Sequence, residues 1–339
     1  MTDKTSPEYV QTSLAASLTL GFQQGSFHRN AKLKGLNLLL HYEEGCLGKC
    51  HFCGLSKTRR EGAKGKTFIR VDWPLYSLKE IIERARENKQ IHRVCISMIT
   101  HSKALEDTVH VIKKFKEETD LFISVLITPT LIHNMEFLMA MEQAGADRIG
   151  IAIDAVTPEL FDRLRGKGVN GPHRWDHYWD VVRMAVEVFG EFNAGIHLIV
   201  GLGETEREMV EAIQKGQDVG TPTHLFSFFP EKGSPMENHP SPLLGQYRRI
   251  QLARWIINKG SGSIDQMKFD AKGKLIDFGT DIEPLIQMRE PFMTSGCPGS
   301  DGKVACNRPY GNERPSGPIR NFPFMPEPED LEEIRRQLE

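Results

Sequence analysis

No stretch of this 339-residue chain approaches the roughly 18 consecutive apolar residues of a membrane span, so no membrane partner is expected. Neither sign of charge is in excess. The chain has 43 Lys and Arg against 45 Asp and Glu, a net charge of −2, which gives no electrostatic reason to expect nucleic acid. Residues 1–7 are polar and hold no apolar core, so a secretory signal is not expected and a cytoplasmic location is. No internal repeat and no low-complexity linker divides the chain. Cysteine is scarce, with six residues: Cys46, Cys50, Cys53, Cys95, Cys297 and Cys306. In a long cytoplasmic chain, clustered cysteines suggest metal binding before disulfides.

What is present is a regular alternation of β-rich apolar runs and amphipathic helical stretches. Strands are expected at 36–41, 94–99, 122–127, 148–154, 195–200 and 224–229, with a seventh apolar run at 267–278. Helices are expected at 77–89, 103–118, 131–144, from Thr157-Pro158 onward, at 205–220 and at 243–258. Ser77 and Glu80 have capping-box spacing, and Pro158 occupies the favoured first helical position. Strict β–α alternation predicts a parallel sheet, and this many units favour an α/β fold, a full or partial TIM-like (β/α) barrel. Three segments are expected: a helical or irregular 1–35, the barrel over 36–280, and a cysteine-bearing C-terminal extension over 281–339 that ends in a charged surface helix. In such barrels the chemistry sits at the C-terminal ends of the strands, and Cys46, Asp154 and the segment 201–204 all fall there.

The segment Cys46-Leu-Gly-Lys-Cys50-His-Phe-Cys53 places three thiols on one loop. Cysteine thiolate is the usual ligand of iron–sulfur clusters, and three thiolates occupy three corners of a [4Fe–4S] cubane. The fourth iron then stays open to an exchangeable ligand. A zinc site needs two short clips to reach four ligands, and no second clip lies nearby. The spacing CxxxCxxC, with Phe52 before the last cysteine and a strand before the loop, resembles the signature of the radical S-adenosylmethionine (SAM) superfamily. That resemblance implies that SAM chelates the open iron and is cleaved to a 5′-deoxyadenosyl radical.

Further residues fit the same resemblance. Ile199-Val-Gly-Leu-Gly-Glu204 contains Gly201 and Gly203, which let backbone approach a ligand. Read alone, it is a tight turn; in this place it resembles the adenine-contacting turn of biotin synthase, as does Gly233-Ser-Pro235. Asp154, at a strand end, either receives the SAM ribose hydroxyls or serves the following helix N-terminus. Arg174 matches by position the arginine that pairs with the SAM carboxylate, with Arg163, Arg165 and Lys167 as competitors. Ala152 stands where biotin synthase has an asparagine. Ile96-Ser-Met-Ile-Thr100 replaces the usual Gly-Gly-Glu, leaving backbone groups to hold the SAM amine. His197 and Phe228, near strand ends, are expected in the core rather than on an acyl channel.

Cys95 lies in a strand where biotin synthase has a ligand of its second cluster, although a lone strand cysteine is ordinarily a small buried hydrophobe. Cys297 and Cys306 sit in a Gly/Pro-rich loop. Together the three are enough for a second iron–sulfur cluster, with Ser295, Ser300 or Arg308 as possible fourth ligands. The stretch Cys306-Asn-Arg-Pro-Tyr310-Gly-Asn-Glu313, followed by Arg320-Asn-Phe-Pro323, is similar to the tail of the two-protein lipoyl synthases. That resemblance implies sulfur insertion at C6 or C8 of an octanoyl chain on a lipoyl carrier protein or domain. It also implies a paralogous radical SAM partner and a reductant such as ferredoxin or flavodoxin. The alternative is a biotin-synthase-like rearrangement or maturase step without sulfur insertion.

Overall fold

A computed structural model describes residues 4–60, 67–68, 71–311, 313 and 317–339. Residues 1–3 of the polar start and Asn312 of the C-terminal motif lie outside the described residues. The main sheet contains β1 (Tyr9–Thr12), β2 (Gly35–Leu40), β3 (Leu75–Ser77), β4 (Arg93–Ser97), β5 (Phe122–Ile127), β6 (Arg148–Asp154), β7 (Ala194–Val200) and β8 (Thr223–Ser227). Their order is β8-β7-β6-β5-β4-β2-β1-β3. From β2 through β8 every neighbouring pair within this sheet is parallel. Helices α1 (Leu14–Thr19), α2 (Leu78–Glu87), α3 (Ala104–Glu118), α4 (Glu136–Gln143), α5 (Pro158–Leu164), α6 (Trp175–Phe189), α7 (Glu206–Asp218) and α8 (Leu244–Asn258) accompany the strands. The sheet begins and ends on different strands, so the barrel is partial rather than closed.

Local chemistry explains the elements. β2, Gly-Leu-Asn-Leu-Leu-Leu, is buried on both faces, as a parallel strand covered by helices must be. Ser77 caps α2, with its hydroxyl accepting from the Glu80 amide. Thr205 and Glu208 form a reciprocal capping box at α7. No helix among the described residues is long and apolar enough to cross a membrane.

Three expectations change in and beside the sheet, and a fourth in the tail. The segment 1–35 is not merely helical or irregular: β1 lies in it and pairs antiparallel with both β2 and β3, extending the sheet edge. Alternate residues Val10 and Thr12 are fully buried, a period-2 signal of only four residues. The helix expected at 131–144 begins later, because residues 129–131 form a 3-10 turn and the Asn134 side chain caps the Glu136 amide. The seventh apolar run is no barrel strand. It folds into a hairpin outside the sheet, β9 (Lys268–Phe269) against β10 (Leu275–Asp277). Asp270 accepts from the Lys272 and Lys274 amides at 2.8 and 2.9 Å, and Gly273 takes φ +78°, turning the chain back.

The C-terminal extension packs on α8. Leu252 of α8, Ile286, Phe292, Phe322 and the buried face of the last helix, Leu331 and Ile334 of α9 (Pro328–Leu338), form a second apolar cluster. The tail helix is therefore docked and not simply a charged surface helix. Between these anchors, the loop around residues 295–306 crosses the N-terminal ends of the strands. Arg93, at the start of β4 and 1% exposed, donates to the Pro298 carbonyl at 2.6 Å. The same guanidinium grips Asp147 through two bonds of 2.8 and 2.6 Å. Asp147→Ala would leave a buried guanidinium half-satisfied. The expected cost is about 3 kcal/mol, measurable by urea unfolding, and the loop should be released with it.

Candidate radical site

The cysteine loop after β2 is held by backbone bonds to several strand ends. The Leu47 amide donates to the Thr100 carbonyl at 2.8 Å, His51 to Leu164 at 2.9 Å, and the Met236 amide to His51 at 3.3 Å. Within this frame Cys46, Cys50 and Cys53 all line one cavity and lie close enough for each pair to interact electrostatically. Burial pushes the Cys50 thiol up to about 12 and the Cys53 thiol well above its ordinary value, opposed at Cys50 mainly by the nearby Arg165 guanidinium. Backbone amides already point at the sulfurs: Gly48 N–H to Cys46 Sγ at 3.3 Å and Leu55 N–H to Cys53 Sγ at 3.4 Å. Such N–H···S bonds favour the thiolate form that an iron–sulfur cluster requires. Three thiols, one buried and two half-buried, with two amide donors and a buried guanidinium, are a donor set that fits a [4Fe–4S] cluster. A single zinc ion draws its thiolates to about 2.3 Å from one centre. Among the described residues, no three His, Cys, Asp or Glu side chains converge on one ion. A cubane needs only one thiolate per iron and tolerates wider spacing.

The cavity has a volume of about 160 Å³ and opens at the C-terminal ends of the strands. Its wall is mostly apolar, including Leu39, Phe52, Met98, Ile99, Leu126, Ile199 and Phe226. Among its polar groups are Ser97, Thr100, Thr128, Asp154, Arg165, His173, His197 and Arg308. His197 and Phe228, expected as core, lie on this wall, Phe228 buried and His197 half-buried.

Asp154 ends β6 with φ +66°, a left-handed conformation unusual for a non-glycine residue and set at a register shift against β7. Its carboxylate accepts from Arg165 at 2.6 Å, and burial nevertheless raises its pKa. Arg165 is 2% exposed and also donates to the Ala152 and Ile153 carbonyls at 2.7 and 2.9 Å. Its Nε is buried without a partner. This arginine, rather than Arg174, faces the cavity. Arg174 does not line it. Its guanidinium donates to the Gly171 and His173 carbonyls at 2.8 and 2.7 Å, fastening the turn before α6.

His173 was not singled out by sequence. It receives or donates hydrogen bonds to Thr130 at 2.6 Å and Tyr178 at 2.8 Å, and burial with Arg165 nearby lowers its pKa to about 2, so it is neutral. A Cβ on Gly48 would stand 3.2 Å from both Cys46 Sγ and His173 Nε2, so a larger residue there presses the cysteine loop against the histidine. The signal was available in Cys-Leu-Gly-Lys-Cys, but the histidine lies 125 positions beyond that glycine and has no motif of its own.

The turn Gly201–Glu204 is occupied with itself. The Glu204 carboxylate accepts from the Gly201 and Leu202 amides at 2.6 and 2.8 Å, and burial raises its pKa to about 7. Gly201, at φ +99°, could not carry a Cβ without meeting Pro242 at 2.6 Å. Gly201, Gly203 and Glu204 therefore shape the strand-to-helix turn and do not line the cavity.

The remaining cysteines, separated by about two hundred residues in sequence, come together. Cys95, Cys297 and Cys306 are close enough for every pair to interact electrostatically. Burial pushes Cys297 up to about 11 and Cys306 to about 12. The Arg308 amide donates to the Cys306 sulfur, two residues back, repeating the pattern at Cys46 and Cys53. The Arg308 side chain hydrogen-bonds Cys95 and reaches Ser97 Oγ at 2.6 Å while lining the upper cavity. Cys95 and Ser97 are two residues apart on β4, about 7 Å along the strand, so Arg308 spans the space between the two thiol triads. Of the other candidate fourth ligands, Ser295 is engaged by the Leu225 amide at 3.0 Å and Ser300 by His92 at 3.1 Å. Gly296 lies against Cys306: a Cβ there would be 2.2 Å from its carbonyl oxygen. Gly296→Ala should displace the loop at a cost of about 1–3 kcal/mol. The measurable result is faster alkylation of Cys306 in the metal-free protein.

A family model described as the radical SAM superfamily matches residues 42–216, from just after β2 into α7. An uncharacterized protein of Methanocaldococcus jannaschii is 26% identical over 213 residues, covering 61% of this chain and 52% of that protein. The GTP 3′,8-cyclase of Rippkaea orientalis is 33% identical over 72 residues, 21% of each chain. The chain thus spans about half the length of the first relative and a fifth of the second. Among solved structures, methylornithine synthase is similar at 16% identity and TM-score 0.49, covering 79% of this chain and 82% of that one. The coproporphyrinogen III oxidase of Escherichia coli is similar at 13% identity and TM-score 0.46, covering 90% and 68%. With its cysteine loop set at the mouth of a partial β/α barrel and more than half its length matched by the family model, this chain belongs to the radical SAM superfamily, whose enzymes work with a [4Fe–4S] cluster and SAM.

Proposed function

We propose that this radical SAM enzyme inserts sulfur into an unactivated C–H bond, and that Cys95, Cys297 and Cys306 hold a second iron–sulfur cluster as the sulfur source. The observation that carries the reading is the convergence of these three thiols inside the barrel, beneath the cavity lined by the first triad, with Arg308 between. A cysteine set used only for packing has no need of a backbone amide on one sulfur and a guanidinium on another. Together with the C-terminal resemblance, this favours C6 or C8 of a protein-bound octanoyl chain as the acceptor. The enzyme would then be one component of a two-protein lipoyl synthase.

When bound, the first cluster with SAM supplies hydrogen abstraction and the second supplies sulfide. The chain's own residues do the rest. Cys46, Cys50 and Cys53 would hold the first cluster, leaving one iron for SAM. Arg165 and Asp154 offer a fixed cation and carboxylate for the charged and hydroxyl groups of SAM, held in place by the Ala152 and Ile153 carbonyls. Leu39, Met98, Ile99, Leu126, Ile199 and Phe226 form an apolar wall that admits an alkyl chain and excludes water. Arg308 is placed to ligate or orient the second cluster, and its contact with Ser97 fixes it at the boundary between the two sites. The partners on this reading are an octanoylated lipoyl carrier, a paralogous radical SAM protein and a low-potential reductant.

The test is mass spectrometry of an octanoylated carrier peptide after one turnover of the reconstituted protein, with SAM, dithionite and the paralogous partner present. A peptide heavier by one sulfur is expected. Formation of 5′-deoxyadenosine with no thiolated peptide would remove the sulfur-insertion reading.

A further inference from the structure

Asn37 is out of place by composition. It sits in the middle of β2, among Leu36, Leu38, Leu39 and Leu40, in a strand with no exposed face. Asparagine is disfavoured in strands and rarely sits wholly inside unless its amide is satisfied. Here the side chain is 1% exposed and its Nδ2 is buried without a hydrogen-bond partner. Its register partner on β4 is Cys95, and in a parallel pair such partners project from the same face of the sheet. Its Oδ1 stands 3.9 Å from Cys306 Sγ. A primary amide with two idle donors thus lies among the thiols of the second triad.

An amide faces either way at little steric cost, because its oxygen and nitrogen ends have nearly the same shape. Turned about, it aims Nδ2 at the Cys306 sulfur, which the Arg308 amide also approaches.

We propose that Asn37 is a positioning residue for the cluster held by Cys95, Cys297 and Cys306: it donates N–H···S hydrogen bonds to the sulfurs and raises that cluster's reduction potential. The proposal rests on the reading of this triad as a cluster site. Hydrogen bonds to sulfur stabilise the more negative, reduced state, so each donor shifts the potential upward.

The experiment uses the full chain with Cys46, Cys50 and Cys53 all changed to alanine, so that only the second triad can load. This parent, and the same protein carrying Asn37→Leu or Asn37→Gln, are reconstituted anaerobically with iron and sulfide. Iron per chain is measured, and the midpoint potential is read by electron paramagnetic resonance during reductive titration. Equal iron in all three is expected, with a more negative midpoint for Asn37→Leu and recovery toward the parent value for Asn37→Gln. Loss of iron in Asn37→Leu alone also supports a donor role. Equal midpoints overturn the proposal, as does loss of iron in both variants, which would mark Asn37 as a packing residue. A parent that takes up no iron fails the cluster reading itself, an outcome distinct from either.

Discussion

Changing Cys46, Cys50 and Cys53 together to alanine should abolish 5′-deoxyadenosine formation from SAM while leaving the fold intact. The expectation follows from how little else these thiols do. Each of Cys46 and Cys53 accepts one backbone amide from two residues ahead, and the loop is otherwise held by backbone bonds to Thr100, Leu164 and the segment near Met236. Each substitution removes one heavy atom, a cost of about 1 kcal/mol by comparison with deletion of a single buried methyl group. Activity, in contrast, loses the ligands for three of four irons at once. The check combines far-ultraviolet circular dichroism, iron content after anaerobic reconstitution, and chromatography of nucleosides after incubation with SAM and dithionite. Unchanged 5′-deoxyadenosine yield would show that these cysteines do not hold the SAM-cleaving cluster. Iron retained by the triple variant, at a reduced level, would belong to the second triad.

The sequence was most readable where a signal is local. Cys46-x-x-x-Cys50-x-x-Cys53 occupies one loop, and spacing alone put its thiols together. The six parallel strands are legible because each is an apolar run in a β–α alternation, with side-chain helix caps at Ser77, Thr157 and Thr205 as further markers. The hairpin β9–β10 reads in the sequence only as a seventh apolar run. An apolar run carries no information on whether it joins the sheet, and the deciding feature is the Asp270–Gly273 turn in its middle. β1 was missed because four residues give too short an alternation to register. The choice between Arg165 and Arg174 turns on which direction α5 delivers a side chain. Nothing within eleven residues of Asp154 in sequence reveals that Arg165 closes back on it. His173 and Asn37 are legible only in three dimensions, since each acts through a neighbour far away in the chain.

On the proposed reading, the second triad permits a separation that a single-cluster enzyme does not. Cys297→Ala should leave 5′-deoxyadenosine formation near the unmodified level and abolish the sulfurated product. Cys297 lies on the C-terminal loop at the N-terminal end of the barrel, whereas Cys46, Cys50 and Cys53 line the cavity at the C-terminal end. Between the two triads stand Ser97 and the Arg308 guanidinium. The loop carrying Cys297 has other anchors: Arg93 on the Pro298 carbonyl, the Leu225 amide on the Ser295 hydroxyl, and the Cys306 and Ala305 amides on the Cys297 carbonyl at 3.2 and 3.0 Å. Removing one sulfur therefore leaves the backbone path in place and takes only a ligand. Hydrogen abstraction at the upper site has no need of that ligand, but carbon–sulfur bond formation on the proposed reading does. The measured ratio of thiolated peptide to 5′-deoxyadenosine should fall to background in Cys297→Ala and in Cys306→Ala alike. A ratio unchanged in either variant would confine the chemistry to the upper site and leave the lower thiols a purely structural place in the barrel.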